Sequence, residues 1–248
     1  MRFIKTLVAG AALFLAAQLS ATPVGLELVL AADVSGSIDN TEYGYQKTGY
    51  KNAFLDASVH AAIASITGGV AVTYVEWSGA AQQSVRVGWT LLQNAADAIA
   101  FGNAIGASTR AFNHMTAVGN AIQYSQNLLN TNTYVGARRI IDVSGDGRTN
   151  EGINTAAARN AAYADSIKIN GITIGTESGL QAFYQNNVVT ANGFHLHATG
   201  FQTFEDAIKR KIVAEIKNED PTVPEPSTIG LLGLGLALVG FIARRRRA

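Results

Sequence analysis

The stretch LVLAADVSGSID, residues 28–39, decides how the rest of the chain is interpreted. It begins as an apolar run, ends that run at Asp33, and then carries Ser35 and Ser37 at alternate positions before a helix-capping segment. A continuous apolar run is typical of a strand that is buried on both faces of a parallel sheet. We therefore expect three oxygen-bearing side chains in the loop that leaves a buried strand.

From residue 24 to residue 218 the sequence alternates between strand-like and helix-like patterns. This alternation predicts an α/β fold with three layers, in which a doubly wound, mostly parallel six-stranded sheet has one antiparallel edge strand. The predicted strands are 25–33, 70–77, 82–92, 138–147, 171–176 and 193–199. Helices are predicted from about 40 to 65 with a break near 56, and over 94–107, 117–130, 153–169 and 203–217, with an irregular or helical piece at 179–189.

Two further segments bring oxygen-bearing side chains to the same part of the predicted fold. A second predicted strand ends in DVSGDGRTN, residues 142–150, which places Asp146 in the loop at its end, and Thr116 lies just before a predicted helix. Right-handed crossovers gather such loops at the carboxyl edge of the sheet, where open α/β sheets bind ligands. A set of oxygen ligands alone suits a hard cation such as Mg²⁺ or Mn²⁺. The alternative is that these residues only cap helices and shape turns.

The order and spacing of these residues resemble a known motif. They are similar to the metal-ion-dependent adhesion site (MIDAS), the five-residue signature of von Willebrand factor A (vWA) domains, and the resemblance covers roughly residues 24–218. The blocks YVEWSG, 74–79, and WTLL, 89–92, further resemble an uncharacterised bacterial subfamily of such domains. The motif residues are Asp33, Ser35, Ser37, Thr116 and Asp146.

This resemblance implies a role for each motif residue. Ser35, Ser37 and Thr116 would bind the metal through their hydroxyls, and Asp33 and Asp146 would act directly or through water. An acidic group of a partner would take the open coordination position. Two carboxylates and three hydroxyls give a weak field, so that water or the partner has to complete the coordination.

Four other residues are candidates for the rim of this site. Glu76 and Trp77 end a predicted strand, so they either line the same edge or pack beneath its loops, with the packed arrangement favoured. Arg148 and Asn150 follow Asp146 and either contact a ligand or face water.

Other polar residues favour structural roles. Asp142 lies within an apolar strand, where a buried carboxylate needs a partner. His195 and His197 share one face of a late strand, but the sequence supplies no third ligand for a metal. Nucleophilic catalysis by Ser35 or Ser37 would need a base such as His114, and neither a Gly-x-Ser-x-Gly elbow nor a phosphate-binding Gly-Lys-Ser/Thr loop is present.

Charge and composition narrow the functional classes. The chain has 248 residues and no cysteine, which excludes a disulfide framework, a thiolate metal site and a cysteine nucleophile. Six of the 19 basic residues lie in the two end segments, which leaves 13 against 18 acidic residues and a net charge of −5 for the rest. We therefore expect no nucleic-acid partner, and contact with a membrane only through the C-terminal tail.

The first 21 residues have the layout of a secretory signal peptide. Arg2 and Lys5 precede an apolar run from 7 to 19, and small residues near Ala21 suit cleavage. An uncleaved membrane anchor is the alternative.

The C-terminal segment has the layout of a second sorting signal. A linker over 219–228 carries Pro224, Glu225 and Pro226, and it is followed by an apolar helix over 229–243 and an arginine-rich cytoplasmic tail over 244–248. This resembles the PEP-CTERM sorting signals of Gram-negative bacteria. The resemblance implies recognition by an exosortase-type membrane protease, transient anchoring in the inner membrane, and delivery to the cell surface or extracellular matrix. An ordinary tail anchor is the alternative.

The leading functional hypothesis is a non-enzymatic, exported adhesion module. It would recognise an acidic group on an extracellular protein or polysaccharide through the bound cation. A metal-assisted hydrolase of exported polymers and a structural matrix protein with a vestigial metal site are the alternatives.

Overall fold

The central strand forms over Leu26–Asp33, and all of its side chains are buried. Leu28 and Leu30 pack into the core on one face of the sheet, whereas Val29 and Ala31 pack into the core on the other. Successive side chains of a strand point to opposite faces, so this continuous apolar run needs cover on both sides. The computed structural model describes residues 21–221.

The strands within this range are β1 (Thr22–Val24), β2 (Leu26–Asp33), β3 (Val70–Trp77), β4 (Gln83–Leu92), β5 (Tyr134–Gly136), β6 (Arg139–Gly145), β7 (Lys168–Ile174) and β8 (His195–Ala198). Six of them form the main sheet, in the order β4-β3-β2-β6-β7-β8. The pair β3 and β4 is antiparallel and the other pairs are parallel, which confirms the predicted sheet.

Helices cover both faces of this sheet. The core on one face contains side chains of α1, α2, α3 and α7, and the core on the other contains side chains of α4, α5 and α6. The helices are α1 (Asn40–Leu55), α2 (Ala57–Ala64), α3 (Ala95–Ala107), α4 (Val118–Thr131), α5 (Thr155–Ala164), α6 (Leu180–Phe183), which continues as a π-helical turn over Tyr184–Val188, and α7 (Phe204–Lys217).

The boundary between α5 and β7 differs from the prediction. The helix predicted over 153–169 ends at Ala164, and β7 begins at Lys168 rather than at residue 171. Ser166 has φ +60°, a left-handed conformation that stops the helix, and the amide of Ile167 then bonds to the carbonyl of Ala162. The sequence also missed the pair β1 and β5, a separate parallel sheet whose three-residue strands are too short for a periodic pattern.

Several predictions fall beyond the part of the chain that the structure describes. The signal peptide except its last residue, the trio Pro224, Glu225 and Pro226, the apolar sorting helix and the arginine tail lie outside residues 21–221. Within residues 21–221, no helix combines the length and apolar character needed to cross a membrane.

Candidate metal centre

The loop between β2 and α1 holds three of the five motif residues together. Asp33 is fully buried, and its Oδ1 accepts a hydrogen bond from the backbone N–H of Ser35 at 2.7 Å. The Oγ atoms of Ser35 and Ser37 lie 3.3 Å apart. Aspartate and serine side chains stabilise such tight turns because they bond to nearby backbone groups. The loop ends where Asp39 and Glu42 form a capping box that begins α1.

The loop between β6 and α5 brings Asp146 to the same place. The hydroxyl of Ser37 donates to Oδ1 of Asp146 at 2.7 Å, across 109 positions of sequence. Both loops leave parallel neighbouring strands at their carboxyl ends, which is why residues so distant in sequence meet. Four of the five motif residues therefore form one continuous chain of contacts.

Thr116 faces the same space from the loop between α3 and α4. Its backbone N–H donates to Asn150 Oδ1 at 2.9 Å, and its carbonyl accepts from the N–H of Asn150 at 2.9 Å. A Cβ placed on Gly147 would lie 3.9 Å from Thr116 Oγ1 and 4.0 Å from Ser37 Oγ. Thr116 and Ser37 both line a surface pocket of about 490 Å³. The structure thus gathers all five motif residues at one edge.

The electrostatics of Asp33 fit a cation. Burial, together with the neighbouring charge of Asp146, raises its pKa to about 8. Its Oδ2 atom is buried and has no hydrogen-bond partner within residues 21–221. Burial also raises the pKa of Asp146. A buried carboxylate oxygen without a partner is unfavourable, and an oxygen-binding cation would satisfy it.

The side chains that could bind a cation at this edge carry little negative charge. Among the described residues, no group of three or more His, Cys, Asp or Glu side chains could hold a metal ion. A cation at this edge would therefore depend on the hydroxyls of Ser35, Ser37 and Thr116 in addition to the two carboxylates. Such a site suits a hard cation with room for an outside ligand.

Arg110 organises the loop of Asp33, and the sequence analysis did not single it out. Its Nη2 atom donates to three backbone carbonyls, those of Val34 and Ser35 at 2.9 Å and that of Ile38 at 2.8 Å. It fixes the path of the loop and adds a positive charge that lowers the pKa of Asp33. An isolated arginine in a polar loop has no sequence pattern that would reveal this role.

Glu76 and Trp77 do not lie on the rim, because both side chains are buried. Glu76 accepts hydrogen bonds from Tyr43 Oη at 2.8 Å and from the N–H of Ala111 at 2.7 Å, and Arg86 Nε lies 3.8 Å from its Oε2. The loop after α3 covers this end of β3. The structure therefore has the packed arrangement that was favoured from the sequence and not the rim alternative, and Glu76 anchors the loop that carries Thr116.

Arg148 lies on the rim as an exposed side chain. Its Nε donates to Oε1 of Glu177 at 2.6 Å, and Glu177 comes from the loop after β7. Both residues line the pocket beside Ser37 and Thr116. An exposed ion pair of this kind adds little stability, so that either partner is available to a ligand. Glu177 was not among the residues singled out from the sequence.

Tyr184 approaches the site from behind, in the π-helical turn after α6. Its hydroxyl is buried without a hydrogen-bond partner among the described residues. A Cβ placed on Gly145 would collide with this hydroxyl and would lie 2.9 Å from Oδ2 of Asp33. The two oxygens that lack partners therefore face the same backbone position. Single-turn π-helices are frequent at functional sites.

The remaining polar candidates have structural surroundings. Asp142 Oδ1 lies 2.7 Å from Nζ of the buried Lys211, which agrees with the favoured ion pairing. His195 and His197 bond to one hydroxyl, that of Thr173, at 2.9 and 3.0 Å. His114 contributes its carbonyl to the N–H of Gly36, and within residues 21–221 its ring bonds to neither motif serine.

With this geometry established, comparison with known families places the chain. Residues 23–220 match the family described as "Protein of unknown function (DUF1194)". The chain belongs to the DUF1194 family. Residues 222–247 match the PEP-CTERM protein-sorting motif, which indicates export through the exosortase system to the cell surface. A search of curated protein sequences found no match to this DUF1194 chain.

Solved structures resemble the DUF1194 chain in fold. Proximal thread matrix protein 1 (PTMP1) from the mussel byssus has a TM-score of 0.62 at 15% identity, over 79% of this chain and 49% of that one. The pilus adhesin SpaC from Lactobacillus rhamnosus GG has 0.58 at 16%, over 78% and 31%. The SpRpn10 VWA domain has 0.55 at 16%, over 77% and 97%.

These identities show the fold alone, and the fold is vWA-like. The DUF1194 chain spans about half the length of PTMP1 and about a third of the length of SpaC.

Proposed function

We propose that this DUF1194 protein is an exported binding module of the adhesion or matrix type. It holds a divalent cation, Mg²⁺ or Mn²⁺, at the carboxyl edge of the sheet and recognises an acidic group on an extracellular protein or polysaccharide. The observation that carries this proposal is the buried Oδ2 atom of Asp33, which has no partner among the described residues although four further oxygen-bearing side chains gather beside it.

Each motif residue has a role in this proposal. Asp33 and Asp146 supply the negative charge, and Ser35, Ser37 and Thr116 supply hydroxyl oxygens. A bound cation gives this acidic body a local positive pole that attracts a carboxylate. Arg110 and Glu76 hold the two loops in place from beneath.

The neighbouring folds support the proposal by analogy. One structure of PTMP1 is described as having a zinc-occupied MIDAS motif, at a TM-score of 0.57 and 16% identity over 76% of this chain and 45% of that one. SpaC is described as a pilus adhesin. Neither description names a ligand for the DUF1194 protein.

We further propose that the C-terminal segment anchors the protein transiently in the inner membrane of a Gram-negative cell. An exosortase-type protease then releases the body to the cell surface or extracellular matrix. The match to the PEP-CTERM motif over residues 222–247 supports this route.

The first experiment is thermal unfolding of the full chain, purified in detergent and freed of metal with a chelator. Addition of Mg²⁺ or Mn²⁺ is expected to raise the Tm until the site saturates, because a ligand that binds only the folded state stabilises it. Asp33→Ala is expected to lose the rise. If millimolar metal leaves the Tm unchanged, the proposal fails and the matrix protein with a vestigial site becomes the better hypothesis.

A further inference from the structure

A groove extends from the metal centre across the neighbouring loop. The pocket of about 490 Å³ beside Ser37 and Thr116 meets a second pocket of about 500 Å³, and Thr149, Asn150 and Phe183 line both. The two pockets therefore adjoin along these three residues, and together they are here called the loop groove, with the metal centre at one end. Each has a volume typical of sites that bind small organic groups.

The second pocket of the loop groove is mainly neutral and polar. Glu151 is its one charged lining residue within the described chain, and that carboxylate accepts from the backbone N–H of Ala80 at 3.2 Å. Amide and hydroxyl side chains come from the β6–α5 loop, the start of α5 and the π-helical turn. They are Thr149, Asn150, Asn154, Thr155 and Asn187.

Two of these amides are oriented as donors. Oδ1 of Asn150 accepts from the N–H of Thr116 at 2.9 Å, and Oδ1 of Asn154 accepts from the N–H of Ala157 at 2.8 Å, where it caps α5. Each oxygen is therefore engaged by the backbone, and neither Nδ2 atom donates a hydrogen bond within residues 21–221. The amide hydrogens stay available to an acceptor in the loop groove.

Thr155 gives an independent indication of a ligand. It lines the second pocket, it is only 4% exposed, and its hydroxyl has no hydrogen-bond partner among the residues that the structure describes. A buried hydroxyl without a partner is unfavourable, so an oxygen-rich ligand in the loop groove would stabilise it.

We infer that the acidic partner is a polysaccharide that contains uronic acid, an inference that rests on the proposed function. One carboxylate of the polymer reaches the cation, and neutral hydroxyl and ring oxygens of the next sugars accept from Asn150 and Asn154. A protein partner would instead anchor through aromatic or arginine side chains in dry, apolar pockets. The loop groove instead sets the amides of Asn150 and Asn154 beside Phe183, a mixture of neutral donors and apolar surface that suits the hydroxyls and C–H faces of sugars.

A matched pair of variants tests this assignment. Asn154→Asp keeps the oxygen that caps α5, but it removes the amide donor and adds a negative charge facing the loop groove. Asn127→Asp makes the same change on an exposed position of α4, outside the lining of both pockets. Asn154→Ser is a second groove variant, which keeps a capping oxygen without adding charge.

The experiment measures binding of the full chain, in detergent and excess Mg²⁺, to immobilised polygalacturonate, alginate and polyglutamate. The two uronate polymers are expected to bind more tightly than polyglutamate, and chelation is expected to abolish binding. Asn154→Asp should weaken uronate binding about tenfold through the lost amide donor and the added negative charge, and Asn154→Ser, which adds no charge, should weaken it less. Asn127→Asp should leave uronate binding unchanged, and both Asp variants should keep the Mg²⁺-dependent rise in Tm.

The outcomes separate this inference from the proposed function. If Mg²⁺ raises the Tm but neither uronate polymer binds, or polyglutamate binds as tightly, the polysaccharide assignment is overturned and the cation site stands. The assignment is also overturned if Asn154→Asp has no effect on uronate binding. If Mg²⁺ does not raise the Tm at all, the proposed function itself fails.

Discussion

Two neighbouring strands each bury a carboxylate, and the surroundings of the two carboxylates differ. In β6, Asp142 lies 2.7 Å from Nζ of Lys211, which also lies 2.5 Å from Oε1 of Glu215. In β2, Asp33 makes no ion pair within residues 21–221, since the nearby Arg110 directs its Nη2 to backbone carbonyls. The chain supplies its own cation for the first carboxylate, whereas Oδ2 of the second has no partner among the described residues.

This comparison explains why the Asp142 carboxylate is structural, whereas the Asp33 carboxylate is proposed to bind a cation. The Lys211 cluster lies between β6, which carries Asp142, and α7, which carries Lys211 and Glu215, and all three side chains are buried. Asp33 ends its strand, next to the exposed Ser37 and an open pocket. Burial raises the pKa of both carboxyls, to about 7 for Asp142 and to about 8 for Asp33. Position along the strand, rather than burial, separates the two roles.

The largest expected effect is the loss of stability when the Lys211 cluster is disrupted. Lys211→Met removes the internal cation and leaves two buried carboxylates without a counter-charge, which is expected to lower the free energy of unfolding by about 3–5 kcal/mol. Denaturant unfolding of the full chain measures this loss. Lys209→Met removes a partly exposed lysine of the same helix, and about 1 kcal/mol or less is expected. Equal losses in the two variants would show that the Lys211 cluster does not stabilise the sheet.

Asp33→Asn should have a different effect. With a pKa of about 8 the carboxyl is mostly protonated at pH 7 when no metal is bound, so the amide replaces a group of similar size and charge. We expect the metal-free stability to change by about 1 kcal/mol or less. The stabilisation by saturating Mg²⁺, about 2.7 kcal/mol at a hundred times the Kd, should be lost.

Thermal unfolding with and without Mg²⁺ measures both quantities for Asp33→Asn. Asp206→Asn, at an exposed position of α7, is the control that should keep the metal response. A strong loss of stability in metal-free Asp33→Asn would mean that Asp33 is structural, as Asp142 is.

His195, which is close to the Lys211 cluster, should contribute to the pH dependence of stability. Burial, with smaller effects of His197 and Lys211, lowers the pKa of His195 to about 4. The unfolded chain, where histidine titrates near 6.5, therefore binds more protons between pH 4 and 6.5, and stability falls as the pH falls through that window. The groups around the ring are Thr173, Tyr184 and, along the same pocket, Arg159, Tyr163 and Asp220.

His195→Gln tests this dependence. The contribution of one proton is at most about 1.4 kcal/mol per pH unit, and partial exposure of the ring makes it smaller. Unfolding measured from pH 4 to pH 7 should show a flatter profile in the variant than in the wild type. Parallel profiles would mean that His195 is protonated as easily in the folded state as in the unfolded one.

Much of the fold was predictable because it depends on local patterns. The alternation of Leu28 and Leu30 with Val29 and Ala31 already requires two covered faces, and turn residues separate the other segments. The end of α5 was not predicted, because Ser166 takes the left-handed conformation that usually belongs to Gly or Asn, so no glycine marks the helix end. A single sequence gives no signal for it.

The candidate site likewise has residues that were predictable from the sequence and residues that were not. Its five motif residues follow strands or precede a helix, so topology alone brings them together. Arg110 was missed because its role is to bond the carbonyl of Val34, 76 positions away in sequence. For Glu76 and Trp77 the sequence favoured packing beneath the loops but left the rim open, because it does not show that the loop after α3 folds over the end of β3.

The smallest expected effect concerns Tyr184, whose hydroxyl faces the same backbone position as Oδ2 of Asp33. Because this hydroxyl has no partner among the described residues, Tyr184→Phe should change the metal-free stability by less than about 1 kcal/mol. No hydrogen bond joins this hydroxyl to Oδ2 of Asp33, so its expected effect is that of a phenol dipole close to the carboxylate, which favours the ionised form. Removing the phenol should therefore weaken Mg²⁺ binding severalfold, measured by titration calorimetry of the full chain.

Tyr163→Phe, at an exposed position of α5, is the matched control and should leave Mg²⁺ affinity unchanged. Unaltered affinity in Tyr184→Phe would assign the hydroxyl to packing alone. A large loss of metal-free stability would instead show that Tyr184 stabilises the sheet from within, as Lys211 does. Either result would decide whether Tyr184 belongs to the buried core or to the candidate metal centre. The question arises because Tyr184 lies in the core on one face of the sheet and reaches the edge where Asp33 ends its strand.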